Sequence, residues 1–169
     1  MSFEPAVLAR ARQELGVHET PGPVSNDRII AYRRMGGLSG IKGDDGLVPW
    51  CAIFVNAMLH EVKLQGSGSA MARSFAHWGR DCPIGTPGAV TVISSPSRGA
   101  SAGHVFFATG RLTPTHIEGV GGNQSDAVTL AWWPRSRIVA SRWPAELQPP
   151  VGRPTLIGGT APSKEVSDT

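Results

Sequence analysis

Cys51 is the residue of this chain whose position in the sequence best suits a nucleophile. It lies in the stretch PWCAIFVN (residues 49–56), where Pro49 fits the first position of a helix and Cys51 would fall in the first turn. Unpaired amides and the positive end of the helix dipole favour a thiolate there, and a nearby imidazolium would lower its pKa further. A buried helical cysteine is also a common small core residue, so the motif alone leaves both interpretations open. Cys82, in the turn GRDCPIGTPG, is interpreted as a structural thiol.

A cysteine nucleophile needs a general base, and five histidines compete for that role. His104 opens the apolar segment GHVFFATG (residues 103–110), directly after the flexible segment SPSRGASAG. A polar ring at the start of a buried strand, preceded by a glycine that permits close approach, is the most site-like of the five. The others lie in a loop, out of phase on the Cys51 helix, at a helix end and at a strand start: His18, His60, His77 and His116.

Asn123 is predicted to hold the imidazole in place. It lies in GVGGNQSDAV (residues 119–128), at the end of the next strand, and antiparallel pairing can carry its side chain to the His104 strand. An amide carbonyl orients the far ring nitrogen without adding charge. The alternative is a Gly-Gly-Asn turn in which the asparagine only adopts a positive φ. Glu118 and Gln124 are lesser candidates for polar support.

The elements that must position these residues follow an α+β pattern. Helices are predicted over residues 4–15, 27–35 and from Pro49 to about residue 63, with a short fourth helix that Ser69 caps. Five short strands follow, at residues 88–94, 103–110, 115–120, 127–133 and 137–143, and we expect them to form an antiparallel meander. Residues 1–145 are therefore predicted to form one domain, and the Pro/Gly-rich residues 146–169 a flexible tail.

Composition excludes several classes of partner. The net charge is only +3, and lysines and arginines are scattered among acids, so no nucleic-acid surface is expected. The densest basic segment, WWPRSRIVASRW, alternates like the polar face of a strand. No apolar run reaches the roughly 18 residues of a membrane span, so no membrane insertion is expected. Two cysteines without zinc-ligand spacing predict no metal site and no cofactor.

Four segments in order, PWCAIFVN, GAVTVI, GHVFFATG and GGNQSDAV, resemble the papain-like cysteine hydrolases of bacterial cell walls. The chain is most similar to the CHAP and NlpC-type families, and the opening ELGVHETPGPVSNDRIIAYRR extends the resemblance to residues 5–145. The resemblance implies a papain-like fold, with the N-terminal helices packed on a sheet of about five strands. It also implies a nucleophile at Cys51, a base at His104 and a third polar residue at Asn123.

One position departs from the family pattern. Many CHAP domains carry a glutamate two residues before the asparagine, where this chain has Gly121, and this favours a Cys-His-Asn site over a four-member one. Backbone amides near Cys51 are expected to stabilise the oxyanion, with secondary support from Trp50, Gln124 and Glu118. The family implies a thioester intermediate that water resolves, and no metal.

The resulting prediction is a peptidoglycan hydrolase that cleaves an amide bond, as an N-acetylmuramoyl-L-alanine amidase or a peptide endopeptidase. Two alternatives remain: a non-catalytic wall-binding module that uses the strands between Trp132 and Trp143, and a papain-like hydrolase or deamidase acting on another amide. The first residues lack the apolar region of a secretory signal. We therefore expect synthesis in the bacterial cytoplasm, and action in the periplasm or wall as a monomer, after holin release of a phage endolysin or injection of an antibacterial toxin. A toxin would also need a cognate immunity protein.

Overall fold

The computed structural model describes residues 4–151 and 154–158 and shows an α+β protein. Three α-helices precede an open sheet of seven strands, and a 3₁₀ segment at Ala72–His77 lies between them. The helices are α1 (Ala6–Arg12), α2 (Asp27–Met35) and α3 (Cys51–Glu61). The strands are β1 (Arg80–Asp81), β2 (Val90–Ser94), β3 (Gly103–Leu112), β4 (His116–Gly121), β5 (Thr129–Pro134), β6 (Ile138–Trp143) and β7 (Thr155–Leu156).

The five predicted strands are all present, but the predicted meander is wrong at its end. The strand order is β1-β6-β2-β3-β4-β5, so β6 pairs with β2 and not with its sequence neighbour β5. In a flat sheet β5 and β6 would lie about 19 Å apart, at roughly 4.8 Å per strand. The chain from Pro134 to Ile138 can span only about 14 Å. The sheet must therefore curl, so that β5 at one end of the strand order approaches β6 near the other end.

The curled sheet separates two apolar clusters. The helix-side core consists of buried side chains from all three helices and from the face of the sheet that the helices cover, including Phe54, Val105 and Phe107. The inner core lies on the opposite face and includes Phe106 and Trp133. Alternation along β3 produces this division, because successive side chains of a strand point to opposite faces.

The starts of α3 and of the 3₁₀ segment differ from the predicted helix starts. Trp50 has φ −117° and ψ 13° and is the N-cap of α3, so Pro49 precedes the cap and Cys51 is the first helical residue rather than the third. The predicted fourth helix is the short 3₁₀ segment, and its N-cap is Met71 without a side-chain cap bond. The Ser69 hydroxyl accepts from the amide of Met71, which precedes the 3₁₀ segment, so the predicted cap is wrong.

Part of the predicted tail joins the sheet. Thr155 and Leu156 form β7, which pairs in parallel with Arg111 and Leu112 of β3. Residues 152–153 and 159–169 of that predicted tail lie outside the described residues. Among the described residues, no helix has the length and apolar character required to cross a bilayer.

Candidate active site

Cys51 lies at the start of α3 because the preceding residue is anchored deep in the protein. The Trp50 ring is 1% exposed and stacks on Tyr32 at 6.2 Å between ring centroids. Its indole Nε1 donates to Glu19 Oε1 at 2.7 Å. The expected supporting residue Trp50 is thus engaged by its packing and by Glu19, and these contacts fix where α3 begins. Cys51 itself is only 5% exposed and belongs to the helix-side core.

Burial determines the protonation of Cys51. Removal from water raises the pKa of the Cys51 thiol. Hydrogen bonds from the backbone at Val105 and Ala52 and the positive charge of Arg98 act in the opposite direction, but they do not outweigh burial. The predicted low-pKa thiolate is therefore not what this structure supports, because a helix terminus activates a cysteine only when the sulfur is sufficiently solvated or paired.

The Val105 contact places Cys51 at the segment of β3 that carries the predicted base, His104. Val105 follows His104 directly in β3, and β3 pairs with β4 only from Phe107 onward. The β4-facing edge of β3 is therefore free of the β3–β4 ladder at residues 104–106. Cys51 belongs to the helix-side core, whereas the His104 ring packs on the inner-core rings of Phe106 and Trp133.

Gln124, rather than Asn123, holds the His104 ring. Gln124 Oε1 lies 3.1 Å from His104 Nε2 and 3.0 Å from Nε1 of Trp133. Its Nε2 donates to the backbone oxygen of Thr129 at 2.7 Å and to the Thr129 hydroxyl at 3.2 Å. Each polar atom of this amide thus has a partner of suitable type, although Gln124 is completely buried.

This network specifies the tautomer of His104. The Trp133 indole is only a donor, so the Gln124 atom that faces it must be the oxygen. Because that same oxygen faces His104 Nε2, the imidazole donates from Nε2, and Nδ1 is the nitrogen that carries the lone pair in the neutral form of the ring. The Trp133 ring covers the pair, with its centroid 4.8 Å from that of His104. An imidazole with a fixed tautomer and a basic Nδ1 is suited to accept a proton.

Asn123 occupies a different environment. It has φ +57° and is 5% exposed, and its Oδ1 is buried without a hydrogen-bond partner. The predicted contact between Asn123 and His104 is therefore absent, because the left-handed backbone at residue 123 directs adjacent amides differently. The turn interpretation, in which asparagine adopts a positive φ, describes Asn123 better.

Glu118 lies away from the ring. Its carboxylate is 2.6 Å from Arg111 Nη1, and it accepts from Thr109 Oγ1 at 2.8 Å. Thr109 is five residues beyond His104 on β3, about 17 Å along a strand at roughly 3.3 Å per residue. Glu118 thus ties β4 to β3, and the expected support of the site by Glu118 is not what these contacts show.

Two of the remaining histidines and the second cysteine make contacts with other residues. His18 contacts the Glu19 carbonyl, and the His116 Nδ1 atom lies 2.9 Å from the Thr115 hydroxyl. Cys82 is a free thiol 3.4 Å from the Ser141 hydroxyl. Within residues 4–151 and 154–158, no three His, Cys, Asp or Glu side chains are placed to hold a metal ion.

Two residues that contact the His104 ring carry little signal in the sequence: Gln124 was only a lesser candidate, and Trp133 was not a candidate. Asn123 and Gln124 are adjacent amides in one loop, and only the backbone conformation distinguishes which of them reaches the ring. Trp133 belongs to a segment that was predicted to turn one polar face to solvent. In the structure Trp133 lies opposite Ile117 of β4, and its ring is part of the inner core.

Searches of family models, curated protein sequences and solved structures found no match to this chain.

Proposed function

We propose that this protein is a papain-like cysteine hydrolase that cleaves an amide bond of bacterial peptidoglycan, as an amidase or an endopeptidase. The observation that carries the proposal is the placement of a helix-terminal cysteine against the strand residue that follows His104, a histidine whose tautomer is fixed by Gln124. The choice of peptidoglycan rests on the resemblance of the Cys51, His104 and GGNQ segments to CHAP and NlpC-type enzymes.

The chemistry begins with proton transfer from the Cys51 thiol to Nδ1 of His104. The sulfur then attacks the amide carbonyl carbon, and the carbonyl electron pair moves to oxygen to form a tetrahedral oxyanion. The first amides of α3, where Trp50 makes no side-chain cap bond, would donate to that oxygen. Collapse breaks the carbon–nitrogen bond, and the imidazolium gives its proton to the leaving amine. His104 then removes a proton from a water molecule, whose oxygen attacks the thioester carbon. The carbon–sulfur bond breaks, the acid product leaves, and the imidazolium returns its proton to the Cys51 sulfur.

Gln124 has a positioning role in this scheme. As the imidazole becomes positively charged, its Nε2–H bond to the neutral amide oxygen strengthens without transfer of that proton. The buried Trp133 ring shields this bond from water. The third member of the proposed site is therefore Gln124, in place of Asn123.

The non-catalytic wall-binding alternative has less support. Its proposed surface uses the aromatic residues between Trp132 and Trp143, but Trp133 is 1% exposed and Trp143 is 6% exposed. Trp132 is half-buried and faces the guanidinium of Arg111 at 5.4 Å. Two of the three rings are thus core residues and cannot stack on a glycan.

Digestion of purified peptidoglycan tests the proposal. Wild-type protein should release new soluble fragments, whose masses identify the bond cut, and Cys51→Ala should lower that rate by at least about 10³-fold. Cys82→Ser is the matched control and should retain activity, because Cys82 lies outside the site. Circular dichroism of each variant establishes that it is folded. Full activity of Cys51→Ala, or intact muropeptides after wild-type treatment, would contradict the proposal; the second result is what an enzyme for a different amide would give.

A further inference from the structure

A cavity lies between α2 and the loop that follows it, in a part of the chain that the proposed chemistry does not use. It is open to solvent and has a volume of about 600 Å³. Arg33 and Arg34 line it from α2, and Ser39 and Lys42 line it from the loop. Cations thus stand on both walls, in a volume typical of small-molecule sites.

Arg33 is the unusual member of this cavity wall. It is 6% exposed, and its Nη1 donates to the backbone oxygen of Ile41 at 3.2 Å. Its Nη2 is buried without a hydrogen-bond partner, and no carboxylate of the described residues pairs with this guanidinium. A buried charge that lacks both a counter-charge and a full set of acceptors is costly, and buried groups of this kind call for a specific explanation.

The charges around the cavity are unbalanced. Arg34 and Lys42 are exposed cations, and Lys42 Nζ makes only a long contact, 3.4 Å, with the Ser39 carbonyl. Asp27 is the one acidic residue among those that line the cavity. Three cations and one carboxylate leave the cavity with a net positive charge.

Helix electrostatics account for part of this arrangement. Arg33 and Arg34 lie in the last turn of α2, where the helix dipole stabilises cations. That effect explains a preference for basic residues, but it acts equally on solvated side chains. It does not explain why the Arg33 guanidinium is buried beside a cavity with Nη2 unpaired.

We propose that this cavity binds a phosphoryl group. An oxyanion in the cavity would supply the counter-charge that Arg33 lacks, and Arg34 and Lys42 would donate to it from opposite walls. A tetrahedral phosphoryl group directs its non-ester oxygens, two in a diester and up to four in free phosphate, out of a single plane, which suits donors on two walls better than a planar carboxylate does. The group could be carried by free phosphate, a phosphomonoester or a phosphodiester such as those of anionic wall polymers, and the test separates these sources.

Titration followed by ¹H–¹⁵N NMR, at constant pH and ionic strength, tests the site. The ligands are inorganic phosphate, glycerol 3-phosphate as a monoester and glycerophosphoglycerol as a diester, with acetate as the carboxylate control. At least one phosphoryl ligand should give saturable shifts in the amides of residues 30–43, and acetate should not. The phosphoryl ligand that binds most tightly identifies the source.

Charge-removing variants make the test specific. Arg34→Gln and Lys42→Gln alter exposed side chains, so both should fold, and each should weaken phosphoryl binding by roughly three- to tenfold. Lys63→Gln removes an equal charge outside the cavity and should leave the affinity unchanged. Cys51→Ala should also bind normally, since this site does not depend on the proposed hydrolase. Absence of saturable shifts, equal binding of acetate, or equal weakening by Lys63→Gln would overturn the proposal.

Discussion

Nε2 of His104 lies 3.1 Å from Oε1 of Gln124, and the same oxygen accepts the indole N–H of Trp133 at 3.0 Å. Because Gln124 and Trp133 are both buried, packing of the inner core determines the orientation of the imidazole. The ring is held by a buried amide, which is itself fixed by Thr129 on β5. A neutral histidine with its basic nitrogen predetermined is more useful as a proton acceptor than one free to exchange tautomers.

Gln124 and Asn123 can be distinguished by a pair of substitutions. Gln124→Ala removes the acceptor of the His104 Nε2–H and should lower kcat by about ten- to a hundredfold, with KM changed less. Asn123→Gly keeps the backbone at φ +57° accessible and removes only the side chain, so kcat should stay within about threefold. Steady-state kinetics on soluble muropeptides provide the measurement. A larger loss for Asn123→Gly than for Gln124→Ala would restore Asn123 as the orienting residue.

The pH dependence of Cys51 reactivity follows from its burial. Because burial raises the pKa of this thiol, the folded protein should hold less thiolate near neutral pH than a free cysteine, whose pKa is about 8.5. In a Cys82→Ser background, the rate of alkylation by iodoacetamide should rise with pH to an inflection above that of the urea-unfolded chain. A plateau below pH 7 would instead indicate a preformed thiolate–imidazolium pair. The expected result fits a mechanism in which His104 removes the proton at the moment of attack.

Features of this fold that arise from local interactions could be predicted from the sequence, whereas features that arise from long-range contacts could not. The helices and the five longer strands were predictable, because an apolar period of 3.6 or 2 is a local property of the chain. The pairing of β6 with β2 was not, because it depends on the curl of the whole sheet. Cys51 and His104 could be predicted as site candidates from their places at the starts of elements. Gln124 was not separable from Asn123, since the difference arises from the backbone of a loop in which Asn123, Ser125 and Asp126 all have positive φ.

Gly122 should be intolerant of a side chain, because it determines how closely the loop before Gln124 approaches α3. A Cβ at this position would lie 2.6 Å from the Trp50 ring and 2.7 Å from Phe54 Cβ. Gly122→Ala should therefore lower the free energy of unfolding by about 1–3 kcal/mol and displace the start of α3. Gly40→Ala is the control, since its Cβ would have no neighbour within 4 Å. Urea titration gives the free energy of unfolding of both variants. Equal values for Gly122→Ala and Gly40→Ala would show that the Trp50 ring moves aside without destabilising the fold.

Glu14 should make the free energy of unfolding depend on pH in the acidic range. Burial alone would raise its pKa, but hydrogen bonds from Arg28, Tyr32 and Arg10 outweigh burial and lower the pKa to about 2. The carboxylate is thus more acidic in the folded chain than at its ordinary value of 4.5, so its contribution is complete above about pH 4.5 and lost as pH falls toward 2. That contribution is at most about 3 kcal/mol. Glu14→Gln should remove this pH-dependent part in urea titrations between pH 2 and 7, whereas Glu4→Gln, which breaks only a surface pair with Arg12, should cost less than about 1 kcal/mol. A parallel pH profile for wild type and Glu14→Gln would show that the carboxylate is not held in this way.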